Sequence, residues 1–100
     1  MYGSVAMLKI KPGMRAEFAR QMEEVGQSVE FASGFISSHL YYLDDDPDAA
    51  ILTIVYDSEE SYRQTAENPQ THENYLKWRA YLAEDPVWHD GQTVPFLRFR

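Results

Sequence analysis

Two segments of this chain are apolar on both alternations of an extended backbone, and a strand of that kind must be covered twice. In Tyr2 to Lys11, Val5 and Met7 fall on one side while Ala6, Leu8 and Ile10 fall on the other, and Ile51-Leu52-Thr53-Ile54-Val55-Tyr56 repeats the pattern. A chain of 100 residues has the length for one core, so residues 1–100 are expected to form a single domain. One layer of helices covers only one side of a sheet. The second cover must then come from outside the chain, and a homodimer packed through its sheet faces is expected.

The rest of the pattern supplies that helix layer. Lys11-Pro12-Gly13 breaks the first strand, with Pro12 suited to the first turn of a helix that follows at once. Phe18, Met22, Val25 and Val29 recur at helical spacing, and Ser33-Gly34 closes the helix. Phe35 to Leu43 alternates as a strand, Asp44-Asp45-Asp46-Pro47-Asp48 turns, and Ala49 to Tyr56 returns antiparallel. Asp57 is the expected N-cap of a short helix to about Ala66, with Glu60 at the third position of a capping box. Asn68-Pro69 opens another helix, with Tyr75, Trp78 and Leu82 in line, which stops before Pro86. Val87 to Gly91 reads as a loop, tight at Asp90-Gly91. Gln92 to Arg100 reads as a last strand through Val94, Phe96 and Leu97, an edge or bulged one because of Pro95. The order β-α-β-β-α-β is the ferredoxin-like α+β plan with an antiparallel sheet.

Charge and composition exclude several classes. Nine Lys and Arg against sixteen Asp and Glu give a net charge of −7, which repels phosphate backbones, so no nucleic acid is expected as a partner. The acids at Asp44 to Asp48, Glu59-Glu60, Glu17, Glu23 and Glu24 read as solvated surface. No segment approaches the roughly 18 consecutive apolar residues of a membrane span. Without cysteine or a signal-like start, a cytoplasmic location is expected. His39, His72 and His89 lack metal-ligand spacing, the acidic turn lacks the features of a calcium loop, and the five glycines form no phosphate loop. No metal or other cofactor is expected.

Ile10-Lys11-Pro12-Gly13, Ser33-Gly34-Phe35, Asp57-Ser58-Glu59-Glu60, Asn68-Pro69-Gln70-Thr71-His72 and Pro86-Val87-Trp88-His89-Asp90-Gly91 together resemble the antibiotic biosynthesis monooxygenase domain. The resemblance covers nearly the whole chain. It implies a dimeric α/β barrel, with a small pocket in each subunit between sheet and helices. It also implies relatives that oxidise aromatic polyketides or quinols with dioxygen and without metal or flavin, and others that degrade haem. The Asn, Trp and His of the haem-degrading branch would fall near Ala6, Thr65 and Tyr75. All three positions depart, so that chemistry is not expected. The Trp of the polyketide oxidisers would also fall near Thr65.

Candidate residues follow from side-chain chemistry. His72, beside Glu73, is the candidate base, since an imidazole titrating near neutrality can take a phenol proton and leave an electron-rich anion for oxygen. Tyr62, Tyr75 and Trp78 offer flat faces for a small apolar or aromatic molecule, and Tyr can also donate to a carbonyl or quinone oxygen. At helical spacing, Tyr75, Trp78 and Leu82 are read as core ahead of site. His39 is placed to line pocket or interface. Trp88 and His89 join the binding candidates, with Asp90 as a turn former beside them. Two functions stay open: a cofactor-independent monooxygenase acting on a small aromatic or quinol-like substrate, and a non-catalytic dimeric binding or regulatory module.

Overall fold

A computed structural model of the chain describes residues 1–28 and 33–97. Its elements are β1 (Tyr2–Lys9), α1 (Arg15–Ser28), β2 (Phe35–Tyr42), β3 (Ala49–Tyr56), α2 (Glu59–Ala66), α3 (Pro69–Arg79) and β4 (Val87–Gln92). The strands form one antiparallel sheet in the order β2-β3-β1-β4. The fold is the expected ferredoxin-like α+β arrangement, with α2 and α3 together forming the second crossover.

The ends of several elements differ from the sequence reading for local reasons. β1 stops at Lys9, and Ile10 forms an isolated bridge to Leu82. The turn after it holds Gly13 at φ 77°, so Pro12 sits in that turn and α1 begins only at Arg15. Ser58, not Asp57, caps α2, its hydroxyl accepting from the Ser61 amide at 3.1 Å. Asn68 caps α3 as expected, accepting from the Gln70 amide at 2.8 Å with Pro69 in the first turn. α3 ends at Arg79, whose guanidinium reaches Asp85 at 2.8 Å and the Leu82 carbonyl at 3.0 Å, fastening the turn that carries Leu82 into the core. The Val29 position of the α1 stripe lies outside the described residues.

The last strand is the main correction. Val87 to Gly91, expected as a loop, belongs with Gln92 to β4, and its Asp90-Gly91 pair lies in register with Ser4 and Gly3 of β1. Val94, Phe96 and Leu97, expected inside a strand, are exposed and follow it. Pairing with β1 decides the matter: an edge strand tolerates the polar Trp88-His89-Asp90 run, whereas Pro95 offers no N–H to a ladder. Residues 98–100 lie outside the described set.

Register sorts the sheet into two faces. Ala6 and Leu8 of β1 and Ala50 of β3 are buried with Ile10, Phe18, Trp78 and Leu82, and Met14, Met22, Val25, Leu40 and Leu52 pack around them. Each large apolar side chain in that layer contributes about 1.5–3 kcal/mol by leaving water. Val5, Met7, Ile51, Thr53, Val55, Val87 and Tyr41 fall on the opposite alternation, and no helix among the described residues lies over them. No helix among the described residues is long and apolar enough to cross a membrane.

Candidate active site

The polar part of the helix-covered face begins with a register pair. Ser4 of β1 and Asp90 of β4 lie opposite each other, and α2 brings Tyr62 over them. Asp90 Oδ1 accepts from Ser4 Oγ at 2.7 Å and from the Tyr62 hydroxyl at 3.0 Å. The Tyr62 ring sits 5.4 Å from Tyr2 and 5.9 Å from Tyr56, and Arg63 donates to the Tyr2 hydroxyl at 3.3 Å. Burial pushes the Tyr62 phenol above its ordinary range. The Ser4 hydrogen bond opposes that shift, while the bond to Asp90, its negative charge and Tyr2 add to it. Tyr62 therefore remains a protonated donor at neutral pH.

Two residues back along β4, on the same face, Trp88 continues the layer in aromatic carbon. Its ring lies 6.5 Å from Trp78, Trp78 lies 4.9 Å edge-on from Tyr75, and Tyr75 lies 6.2 Å from His72. Trp78 is buried, Tyr75 half-buried, and His72 exposed on the first turn of α3. Within α3, Gln70 donates to the buried Asn74 at 3.4 Å. The arrangement offers a phenol donor and a carboxylate acceptor at one end, π faces along the middle, and an imidazole at the other end.

Five of the seven candidate residues share this side of the sheet: Tyr62, His72, Tyr75, Trp78 and Trp88. His39 and His89 do not. His39, Thr53, Val5 and His89 are successive register partners across all four strands, so both imidazoles belong to the open face. A hollow of ≈ 330 Å³ lies at the His89 end of that row. Among the described residues, no three His, Asp or Glu side chains converge as a metal ion would require.

Sequence reasoning missed Ser4 and cast Asp90 as a turn former, because the two are 86 positions apart and only the β1–β4 register joins them. It also read Glu17 as solvated. One Glu17 carboxylate oxygen is instead buried without a hydrogen-bond partner among the described residues, a state that costs about 1–3 kcal/mol for a polar group. No local signal separates Glu17 from the other acids of α1, since it lies only one position from the buried Phe18.

The sequence pattern described as antibiotic biosynthesis monooxygenase matches residues 1–78. The chain belongs to this family. Solved structures agree with that assignment in fold. One from Chloroflexus aurantiacus that carries the family name is 25% identical, with a TM-score of 0.75 over 97% of this chain and 96% of that one. One from Deinococcus radiodurans with the same family name superposes at a TM-score of 0.81 with 11% identity, covering 100% and 99%. SnoaB from Streptomyces nogalater, a cofactor-independent oxygenase solved as a point mutant, has a TM-score of 0.76 and 18% identity over 94% and 96%. No functionally curated protein matches the chain in sequence.

Proposed function

We propose that this antibiotic biosynthesis monooxygenase family member oxidises a small phenolic or quinol-like molecule with dioxygen and no bound cofactor. The observation that carries the reading is the Asp90 carboxylate with its two hydroxyl donors at the end of an aromatic layer. An aromatic substrate lying against Trp88 and Tyr75 would exchange hydrogen bonds with Tyr62 and Asp90 through its ring oxygens. His72 is the proposed base: removal of a phenol proton raises the electron density of the ring toward oxygen. The likeness to a cofactor-independent oxygenase supports the same reading.

The test is oxygen uptake by metal-stripped protein against a panel of quinols and polyhydroxylated aromatics. Enzyme-dependent uptake that is lost in His72→Ala and falls about 10- to 100-fold in Tyr62→Phe supports the reading. Unchanged rates in His72→Ala remove the base.

A second reading, a non-catalytic binding module, draws on Thr65. The family's pocket Trp would fall near this position, yet the Thr65 hydroxyl is spent on the Ser61 carbonyl at 3.1 Å within its own helix. Tight binding of an aromatic ligand with no oxygen uptake would favour that reading.

In either case a second copy of the chain is the proposed cover for the open sheet face, where Val5, Met7, Tyr41 and Val87 are 41–57% exposed. Such a contiguous apolar face is what an isologous interface buries.

A further inference from the structure

The open face of the sheet differs from the rest of the chain in charge as well as in cover. Sixteen Asp and Glu outnumber nine Lys and Arg in the sequence. The alternation that puts Val5 and Met7 on this face also puts Lys9 of β1, His39 of β2 and His89 of β4 there, while β3 contributes no ionisable group to it. Asp90, the single acid within the four strands, lies on the covered side and accepts from Ser4 and Tyr62. Acids that adjoin the strand ends are engaged elsewhere: Asp48 accepts from the Gly13 amide at 3.3 Å, and the Asp57 carboxylate lies against Gly34. In an acidic protein, this face thus carries a lysine and two imidazoles and no carboxylate from its strands.

Two-fold symmetry turns that gap into a constraint. In an isologous pair each copy presents the same patch to the other, so a charge missing from one side is missing from both. An imidazolium on His39 or His89 in a closed seam would meet Lys9, the Tyr41 phenol and further imidazoles, but no strand carboxylate from either copy. Residues 93–100, which follow β4, add Arg98 and Arg100 and no acid. A neutral imidazole is tolerated in such a seam, since one ring nitrogen donates and the other accepts. A buried cation without a counter-charge is far more costly. In the separated subunit both imidazoles are exposed to water, where a proton adds without that cost.

Resting on that dimer reading, we propose that His39 and His89 make association of the two copies pH-sensitive, closed near neutrality and opened by mild acid. An imidazole in water takes its proton below about pH 6.5. The separated copies then bind more protons than the closed pair. By linkage the pair is fully favoured above that range and loses ground as pH falls through it. The rest of the chain pulls the other way: at −7 per copy, mutual repulsion declines on acidification, so net charge alone would tighten the pair. Weakening in acid is therefore a signature of the histidine row.

The test is the dimer dissociation constant from sedimentation at about pH 7.5 and about pH 5.5, with the far-UV spectrum recorded at both to show that the chain stays folded. The parent should dissociate about 100-fold or more readily at the lower pH. The His39→Gln/His89→Gln double variant should dimerise equally at both, while His72→Gln, altered on the helix-covered side, should follow the parent. Dilution of the parent near pH 6.5 in two buffers of different ionisation enthalpy gives a second measure that needs no variant: dissociation should take up protons. A folded parent that is equally dimeric at both pH values, a double variant that keeps the parent's pH dependence, or dissociation without proton uptake overturns the switch and leaves the dimer standing. A parent that is monomeric at micromolar concentration and neutral pH overturns both.

Discussion

One sheet presents two faces that differ in almost everything except backbone. On the covered face, Ala6, Leu8 and Ala50 are at most 2% exposed, with Phe18, Trp78 and Leu82 laid over them. On the open face, at the next residue of the same strand, Val5 and Met7 stand 41% and 43% exposed. Hydrophobicity alone does not separate the two, because Val and Met are as apolar as Ala and Leu. What separates them is the supply of covering elements, and the described residues have enough for one side. Chemistry follows the same division: hydroxyls and a carboxylate converge on the covered face, while His39 and His89 lie at the two ends of a row on the open one.

The largest effect should come from the covered side. Phe18→Ala removes a fully buried ring, and we expect a loss of about 3–5 kcal/mol in chemical denaturation, enough to unfold much of the population. A loss below about 1 kcal/mol would mean that the covered face is not the core. Met7→Asp, one residue from the buried Leu8, should instead leave the far-UV spectrum intact and abolish sedimentation as a dimer at micromolar concentration. If it unfolds the chain outright, the two faces are not independent.

Tyr62→Phe probes the polar seam, with an expected loss of about 0.5–1 kcal/mol from the bond to Asp90. The raised Tyr62 phenol adds a pH signature. Its stabilising contribution is fully present below the ordinary phenol range near 10. It is lost as pH rises through the higher folded-state value, since the unfolded chain releases its proton first. Urea midpoints between neutral and strongly alkaline pH should therefore fall less steeply in the variant than in the parent. The raised Tyr42, common to both proteins, cancels in that difference. Smallest of all, Arg63→Ala breaks an exposed pair with Glu59 at 3.0 Å and should change stability by only a few tenths of a kcal/mol.

The legibility of this chain follows the range of the interactions. β3 and the Asn68-Pro69 helix start are readable because alternation and capping act within a few residues. The double apolar alternation of β1 and β3 announces the two faces, and the register determines which residues share each one. β4 escapes a sequence reading because its local signals are weak: Trp88-His89-Asp90-Gly91 resembles a turn, whereas Val94, Phe96 and Leu97 resemble a strand. Its actual partner is β1, at the other end of the chain, and nothing local encodes that pairing. The candidate site inherits the same limit. The aromatic members at helical spacing, Tyr75 and Trp78, are legible, whereas the Ser4–Asp90 pair requires a register. The cap of α2 differs from expectation by one residue, as Asp57 and Ser58 both carry capping side chains and only the entry of the chain chooses between them.

The strand order also has a consequence in time. Of the four strands of this sheet, β1 leaves the ribosome first and β4 last, yet they are neighbours. During synthesis the β2–β3 hairpin can close as soon as it emerges, and β1 can dock on β3, but the other flank of β1 keeps its amides and carbonyls unpaired until the rest of the domain has been made. A pause late in translation would hold that flank open to a neighbouring nascent chain.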